Sequence, residues 1–589
     1  MHCKVNYILK HKQYIDYRIN IINNNLSSNL SERKHQLDAV ISVLMNISAN
    51  ICYVINSPEI NQALAELNDI IERWDFNNDG DIIGYIYNNL ECKNNLKAKG
   101  QYFTPEDVSS YITNSSIAIA DRDDIFILDP ACGSGQFLLI SYKIIYNKQI
   151  VKFKDHLKCS AYAISRLYGI DVDPLAVKIA RYNLMKISGC NSSLINIFNF
   201  NFLMKSNSNL FESSYTDAVL QRKFDIIIGN PPWRSKFTPE EKRYFKSSYS
   251  STGSGINTFT LFLERSFEFI NNDGIISFLI PEAYLNIKTH MSSRQYILEN
   301  SLIKSIFCWG EKFKGIFAPS ISIVVQKNSS DIDRMKNIIH VQNDSCIKHG
   351  TALLVPQAGY LRTPENIFNI NHTRKAVEII STIESNDCIY LKNRAKFFLG
   401  VVTGDNVRHI NMRRSTFHSD PIIIGQDVQQ YRISFSNHFF KFDPNHLQQV
   451  APQHLYLTKN KILYKFIGKK LTFALDPYGY YSLNNVNGFI PDDIGNNIES
   501  TLSILNSHVL QYYYYNNFFT LKVLRSNIEK LPIKTIARST QKKLTSLVRM
   551  IINQDNKSTK IQRETIEDII FHEYRIKDKD AYTINEMVQ

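Results

Sequence analysis

The sequence has few of the features that mark exported, disulfide-stabilised or membrane-spanning proteins. Its nine cysteines are odd in number, and none forms a CxxC pair, so neither a disulfide framework nor a cysteine zinc site is predicted. The opening residues, MHCKVNYILKHKQYIDYR, contain no uninterrupted apolar segment. No stretch approaches the roughly 18 apolar residues that cross a bilayer. These absences predict a protein of the reducing cytoplasm that does not associate with a membrane.

Length, composition and charge predict several folded units and a polyanionic partner. The 589 residues are 44% hydrophobic and 21% charged, which excludes wholesale disorder and favours three or four domains. The net charge is +13, and residues 391–589 hold 27 basic and 17 acidic side chains. Because neutralised phosphates release counterions, a basic C-terminal third favours a nucleic acid partner. The alternative is a basic surface that only keeps the protein soluble.

The pattern of apolar residues changes along the chain. Residues 1–95 have helical spacing, whereas short runs rich in Ile, Leu and Val alternate with helical stretches from about 100 to 330. This alternation predicts an α/β fold with a doubly wound, mainly parallel sheet. Beyond it, a region rich in Tyr, Phe, Asn and Lys predicts a separate α+β domain. The predicted domains are a helical domain at 1–95, an α/β domain at 96–335, an α+β domain at 336–535 and a helical segment at 536–589.

A strand that ends at Asp129 leads into a short glycine loop. Gly133 and Gly135 allow a tight turn and a close backbone approach to a ligand, and an acidic residue at a strand end can accept an amino group or a hydroxyl. The loop has neither the GxGxxG spacing of a dinucleotide site nor the Gly-Lys-Ser/Thr of a phosphate loop. An ordinary strand-to-helix turn is the alternative.

The next strand ends at Asp171. A carboxylate there is placed to accept hydrogen bonds from both hydroxyls of a ribose. Asp173 is predicted instead to be a helix N-cap, because Pro174 suits the first position of a helix.

The third motif is Asn230-Pro231-Pro232-Trp233, which follows the apolar strand FDIIIG. The Asn230 side-chain oxygen and the Pro231 carbonyl are two fixed acceptors for the N–H groups of an exocyclic amine, such as that of adenine. Trp233 offers a ring on which a base can stack. Methyl transfer to that amine requires neither a covalent enzyme intermediate nor a metal. The alternative is a Pro-Pro turn packed against a core tryptophan.

In this order, the three motifs resemble those of the gamma group of N6-adenine DNA methyltransferases, across roughly residues 95 to 330. The resemblance implies S-adenosylmethionine as cofactor. It also implies that the Lys99-Gly100-Gln101-Tyr102-Phe103-Thr104-Pro105 segment closes over the methionine part of the cofactor. Its implied cofactor-binding residues are Thr104, Pro105, Asp129, Ala131, Cys132, Gly133, Gly135, Phe137, Asp171, Asn201 and Phe202, and its implied catalytic residues are Asn230, Pro231, Pro232 and Trp233.

The sequence departs from the family pattern at two places. Asn201 stands where the family commonly has Asp, and Asn199 competes for the same alignment. An Asn oxygen can still accept a hydrogen bond from an amino group. The position of the second ring that sandwiches the target base in TaqI-type enzymes aligns with Val325, which has no ring. The alternatives are one-sided stacking on Trp233, and a substitute ring from Phe317 or another nearby residue.

The C-terminal region resembles the target-recognition domain of TaqI-type enzymes more loosely. The candidate contacts with DNA phosphates and base edges are Lys465, Lys469, Lys470 and Arg525. A stacked base cannot reach the catalytic motif, so the resemblance implies double-stranded DNA as partner together with base flipping.

The resemblance also implies a role in a restriction-modification or phage-defence system. The first 95 residues lack a Pro-Asp and Glu-x-Lys nuclease arrangement, so a separate restriction endonuclease or specificity subunit is the expected partner. The alternatives are methylation of RNA or of a protein glutamine, and a catalytically silent DNA-binding subunit. The Asp75–Asp81 stretch imitates a calcium loop, but Ile86 stands where the bidentate Glu belongs, so no metal site is predicted.

Overall fold

A computed structural model of the chain shows two compact units, Met1–Ile370 and Asn371–Gln589. The described residues are 7–27, 30–45, 57–73, 80–90, 104–205, 219, 221–234, 236–311, 319–343, 352–361, 363–371, 373–385, 387–468, 470–518, 522–553 and 559–588.

The described residues of the first unit form a nine-stranded sheet. Its order is β3-β2-β1-β4-β5-β7-β6-β8-β9; the neighbours from β3 to β5 pair in parallel, and β7 is antiparallel to both of its neighbours. This confirms the predicted doubly wound, mainly parallel sheet. The strands are β1 Ile127–Asp129, β2 Leu167–Asp171, β3 Asn196–Asn199, β4 Phe224–Gly229, β5 Ile270–Pro281, β6 Ser301–Gly310, β7 Ser320–Lys327, β8 Ile338–Asn343 and β9 Leu353–Pro356.

Helices cover both faces of this sheet, because the central strands carry apolar side chains on both faces. In β5, Ile275 and Leu279 belong to one core, and Ile276 and Phe278 belong to the core on the other face. The helices of the unit are Tyr7–Asn25, Leu30–Leu44, Pro58–Glu72, Ile82–Leu90, Glu106–Ala120, Gln136–Phe153, His156–Ser165, Pro174–Ser188, Pro239–Ser248, Thr258–Ser266, Met291–Asn300, Asp331–Lys336 and Gln357–Tyr360.

The N-terminal helices form a core with one helix of the α/β sheet. Leu175, Ile179 and Tyr182 of the helix Pro174–Ser188 are buried in the same cluster as the apolar residues of Ile82–Leu90. Asp173 caps that helix as predicted, since its carboxylate accepts a 3.0 Å hydrogen bond from the Leu175 N–H. This packing brings the N-terminal helices to the carboxyl end of β2.

The second unit is a mixed α+β structure, as predicted for the C-terminal region. Among its described residues are a four-stranded sheet, β11-β17-β14-β15, a three-stranded sheet, β13-β12-β16, and the pair β10-β18. Its strands are β10 Cys388–Ile389, β11 Ala395–Phe398, β12 Asp420–Ile423, β13 Phe439–Phe440, β14 Lys461–Lys465, β15 Phe473–Asp476, β16 Tyr481–Ser482, β17 Val486–Pro491 and β18 Ile533–Lys534. Its helices are Arg374–Glu384, Asn406–His409, Gln453–Leu457, Ile498–Asn506, His508–Asn517, Arg525–Ile528, Arg538–Asn553, Lys560–Glu573 and Asp578–Val588.

Two observations bear on the remaining expectations. β8 and β9 extend the first sheet beyond residue 335, and the division into four domains stays a prediction. Within the described ranges, no helix combines the length and the apolar character needed to cross a membrane.

Candidate active site

A cavity of about 1070 Å³ opens at the carboxyl ends of three adjacent strands of the first unit. Asp129 at the end of β1, Asp171 at the end of β2 and Asn230 directly after β4 all line it. The chain leaves β1 toward β2 on one side and reaches β4 on the other, so the cavity lies at a switch point of the strand order. Such crevices are where doubly wound sheets bind ligands.

The glycine loop forms the floor of this cavity beside Asp171. Gly133 and Gly135 have φ values of 52° and 92°, which residues with a Cβ atom rarely adopt. The Gly133 N–H donates a 2.8 Å hydrogen bond to Oδ2 of Asp171. Gly133 lines the cavity together with Ala131, Cys132 and Phe137, whereas Gly135 begins the helix Gln136–Phe153 behind the lining.

The backbone fixes the carboxylate of Asp171. Besides the bond from Gly133, Oδ1 accepts a 2.9 Å hydrogen bond from the Asp173 N–H. Burial raises the pKa of Asp171 to about 6, and these backbone hydrogen bonds act in the opposite direction. The side chain is therefore mainly ionised above that pH. Each oxygen has further lone pairs for a ligand hydroxyl.

Asp129 lies even deeper in the sheet. Its Oδ1 accepts a 3.1 Å hydrogen bond from the Ala131 N–H. Burial raises the pKa of Asp129 well above its usual range; the Ala131 hydrogen bond opposes this shift, and the nearby Asp171 carboxylate adds to it. A Cβ at Gly229 would lie 2.6 Å from Oδ1, so glycine is needed at the end of β4. The sequence reasoning missed this residue, although it directly precedes the Asn-Pro-Pro motif.

A hydrogen bond across the cavity orients the amide of Asn230. Its Nδ2 donates to the Thr104 hydroxyl at 3.1 Å, and both residues line the cavity. Because the amide nitrogen donates to Thr104, the amide oxygen of Asn230 points away from Thr104 and can act as an acceptor. Pro105 occupies the N-cap position of the helix Glu106–Ala120 and lies outside the lining. Residues 99–103 of the same motif lie outside the described residues.

Trp233 lines the cavity with its ring half-buried. Its indole N–H points at the Leu279 carbonyl, 3.4 Å away. Pro232 also lines the cavity, and the side chain of Pro231 is buried outside the lining.

Two aromatic side chains and one amide surround the part of the cavity next to β3. Phe202 lines the cavity and stacks on Phe262 with a centroid distance of 5.5 Å. Asn201 also lines it, and its Oδ1 accepts a 3.0 Å hydrogen bond from the Leu203 N–H. Asn199 lies outside the lining and donates to the Asp171 carbonyl at 2.9 Å. The structure thus brings Asn201 to the cavity rather than Asn199.

Val325, which aligns with the second ring of a base sandwich, has no ring of its own. That residue is fully buried in β7, in register with Ile276 and Ile303. Phe317 lies outside the described residues. The aromatic residues that line the cavity besides Trp233 and Phe202 are Tyr87, Phe137, Phe200, Phe237, Phe245 and Phe262.

Sequence reasoning also missed two groups of cavity residues. Lys34, Tyr87 and Asn88 reach the cavity from the N-terminal helices, and the Tyr87 hydroxyl donates a 2.7 Å hydrogen bond to Asp173. Arg234 also lines the cavity and binds both carboxylate oxygens of Glu241, at 3.1 and 2.9 Å. No local motif marks Lys34 or Tyr87, because only tertiary packing places them here.

The candidate DNA contacts lie in the second unit. Lys465 is half-buried at the end of β14, and Lys470 is exposed. Arg525 is exposed and pairs with Glu529 at 2.7 Å. Lys469 lies outside the described residues. In the part of the chain that the structure describes, no group of three or more His, Cys, Asp or Glu could hold a metal ion.

Two family models match the chain. The one described as N-6 DNA Methylase matches residues 78–353, and the one described as TaqI-like C-terminal specificity domain matches residues 420–533. The first match contains all of the cavity residues except Lys34.

Named relatives match parts of the chain at low identity. The Type II methyltransferase M.VspI of Vibrio sp. (strain 343) is 26% identical over 321 residues, which cover 54% of this chain and 69% of that protein. The Type II restriction enzyme and methyltransferase RM.Eco57I of Escherichia coli is 22% identical over 281 residues, which cover 39% of this chain and 28% of that protein. The chain therefore spans under a third of the second relative.

A solved structure of a DrdV-DNA complex superposes with a TM-score of 0.55 at 11% sequence identity. The superposition covers 92% of this chain and 70% of that chain. At this identity, the likeness shows a shared fold.

Proposed function

We propose that this chain is a member of the N-6 DNA Methylase family, whose model matches residues 78–353, and that it methylates the N6 amino group of adenine in duplex DNA, with S-adenosylmethionine as methyl donor. One observation carries the proposal. Asn230, Pro232 and Trp233 of the Asn-Pro-Pro-Trp motif line a single cavity together with Asp129 and Asp171.

The residues of the cavity fit this cofactor. Its volume of about 1070 Å³ lies at the upper end of the roughly 300–1,000 Å³ typical of small-molecule sites, which leaves room for a base beside a nucleoside. Asp171 would accept the ribose hydroxyls, the loop at Gly133 and Thr104 would hold the methionine part, and Phe202 would pack on the adenine. The bound cofactor supplies an electrophilic methyl group on its sulfonium sulfur.

The catalytic motif supplies the acceptors that the reaction needs. The lone pair of the adenine amino nitrogen is delocalised into the ring, so the nitrogen is a weak nucleophile. The Asn230 oxygen and the Pro231 carbonyl would accept its two N–H groups and favour the tetrahedral nitrogen. Trp233 would stack on the base and align the nitrogen with the methyl group. After transfer, the nitrogen would lose one proton to solvent water.

The C-terminal region would select the DNA sequence. Residues 420–533 match a specificity domain, and an adenine inside a duplex must leave the stack before it can enter a cavity. We propose duplex DNA as the substrate and base flipping as the route to the cavity. A restriction endonuclease or a specificity subunit is the proposed protein partner, because relatives are named as restriction enzymes and methylase subunits.

The test is the transfer of labelled methyl from S-adenosylmethionine to unmethylated genomic DNA, followed by nucleoside analysis. The proposal predicts label in N6-methyladenine for the wild type, formed about 10²–10³-fold more slowly by Asn230→Ala. Label found in RNA or in protein glutamine, or equal labelling of DNA by both proteins, would overturn it.

A further inference from the structure

The second unit carries an exposed hairpin that neither family match includes. This hairpin, residues 411–418 and here called the arginine hairpin, precedes the match that begins at residue 420. At its base, Asn411 pairs with Phe439 of β13 through two backbone hydrogen bonds of 2.9 and 2.8 Å. At its tip, Ser415 and His418 exchange backbone hydrogen bonds of 3.0 and 3.1 Å and close a two-residue turn.

The polar groups of the arginine hairpin hold its own shape. The Asn411 side-chain oxygen accepts a 2.9 Å hydrogen bond from the Arg413 N–H. The Ser415 hydroxyl lies 3.1 Å from Nδ1 of His418. A segment fixed in this way presents its remaining side chains with little further loss of conformational entropy on binding.

Those remaining side chains are cationic and apolar. Residues 411–417 are all exposed, and within the described residues Arg413 and Arg414 form no ion pair. No carboxylate lies between Asn411 and Ser419 in the sequence. Phe417 at the tip is 76% exposed, and Met412 is 65% exposed. Guanidinium groups bind phosphate in bidentate fashion, and an exposed ring can pack on bases or sugars.

A row of aromatic rings joins the base of this hairpin to a second exposed ring. Phe439 contacts Phe435 at 5.6 Å, Phe435 stacks on Tyr480 at 5.1 Å, and Tyr480 contacts Tyr478 at 5.3 Å between centroids. Tyr478 is 66% exposed. The hairpin and Tyr478 therefore share one rigid aromatic support.

The turn that carries Tyr478 is itself fixed by a buried carboxylate. Asp476 accepts hydrogen bonds from the N–H groups of Tyr478, Gly479 and Tyr480 at 2.9, 3.1 and 2.8 Å. It also pairs with Lys461, and both side chains are fully buried. Burying an ion pair costs desolvation free energy, which only good geometry and additional hydrogen bonds offset. The hydrogen bonds to Asp476 therefore fix the turn.

We infer that the arginine hairpin is a contact element for duplex DNA, in which Arg413 and Arg414 bind backbone phosphates and Phe417 packs in a groove. The inference rests on the proposed function. Charge favours DNA over a protein partner, because residues 391–589 hold an excess of ten basic side chains and the hairpin presents Arg413 and Arg414, which are exposed, directly before its tip.

The test compares two double variants of the full chain in binding to a fluorescein-labelled DNA duplex of mixed sequence. Arg413→Ala/Arg414→Ala removes two phosphate contacts, so we expect affinity to fall about tenfold and the slope of log K against log salt to become less negative by about 1.8. The matched control is Lys542→Ala/Lys543→Ala, which removes the same charge from the exposed face of the helix Arg538–Asn553. We expect the control to keep the wild-type slope.

Phe417→Ala separates packing from charge. We expect it to weaken DNA binding several-fold with the wild-type salt slope, and all variants to keep the wild-type circular dichroism spectrum and thermal unfolding, which would show that the second unit is folded. If the wild type binds duplex DNA and the arginine variant matches the lysine control in affinity and slope, the inference about the hairpin is wrong. If the wild type itself binds no duplex DNA, the proposed function fails instead.

Discussion

At the scale of single residues, Asn230 and Asp171 have different proposed roles. Asn230 is oriented by Thr104 and would act on the base, whereas Asp171 is held by backbone N–H groups and would act on the cofactor. Removing each side chain should therefore change a different measured quantity.

Asn230→Ala should lower the rate of methyl transfer and leave cofactor affinity unchanged. Removing one hydrogen-bonding group that stabilises a transition state typically costs about 10²–10³ in rate. Single-turnover methylation and calorimetric titration with S-adenosylmethionine measure the two quantities separately. Thr104→Val keeps the Asn230 acceptor and loses its orienting partner, so its rate should fall less, and its cofactor affinity should also fall because Thr104 would hold the methionine part. A matching loss of cofactor affinity in Asn230→Ala would show that Asn230 holds the cofactor instead.

Asp171 should make cofactor affinity depend on pH. Burial raises its pKa to about 6, and ribose hydroxyls bind the ionised form better, so binding should lower this pKa and release a proton. Affinity for S-adenosylmethionine should be constant well above pH 6 and fall by up to about tenfold per pH unit below it. Calorimetry between pH 5 and 8 measures this. Asp171→Asn should bind weakly with a flatter profile; a flat wild-type profile would contradict the assignment.

At the scale of elements, the helix Ile82–Leu90 supports the glycine loop from behind. Asp81 accepts hydrogen bonds from the Gly84 N–H at 2.7 Å and from Nδ2 of Asn183 at 2.8 Å. The same Asn183 nitrogen donates to the Ser134 carbonyl at 2.9 Å. The N-terminal helices are thereby connected to the loop that carries Gly133 and Gly135.

Gly84→Ala should disrupt this junction. A Cβ there would lie 2.0 Å from Oδ2 of Asp81 and 2.3 Å from Oγ of Ser134. Overpacking of this kind lowers the free energy of unfolding by about 1–3 kcal/mol, although Gly to Ala in a helix otherwise raises it by up to about 1 kcal/mol. Thermal unfolding followed by fluorescence should show a lower Tm.

The matched control for this change is Gly359→Ala. Gly359 is also in a helix, but no atom lies within 4 Å of its Cβ position, so its Tm should stay the same or rise. Equal Tm values for the two variants would mean that Asp81 and Ser134 can move away from the added methyl group without loss of stability, which would contradict the prediction.

The elements that sequence predicted are those with local signals. Apolar runs that end in Asp129 and Asp171 predicted two strands and their ligand-binding ends, and Asp173-Pro174 predicted a helix start. The need for Gly229 depends on Asp129 in a neighbouring strand, and the placement of Tyr87 depends on how two distant helices pack. Neither contact leaves a pattern in the residues around it. For the same reason, Asn199 remained an alternative to the predicted Asn201 at the sequence level.

At the scale of the whole molecule, the two units carry different parts of the proposed reaction. The described cavity belongs to the first unit, and the match to a specificity domain and the arginine hairpin belong to the second. The uneven charge predicted a polyanion partner from sequence alone. Which side chains would meet that partner could not be predicted, because exposure and pairing depend on the fold: Arg525 is paired with Glu529, whereas Arg413 and Arg414 are presented on a hairpin.

The most direct test of the central claim is the modification state of DNA from a methylation-deficient bacterial host that expresses this chain or its Asn230→Ala variant. Modification-sensitive sequencing, together with mass spectrometry of nucleosides, identifies both the base and its position. We expect N6-methyladenine at one adenine of a recurring sequence in cells with the wild type, and a much smaller modified fraction at that adenine in cells with the variant. Wild-type DNA without N6-methyladenine, or with the methyl group on cytosine, would contradict it.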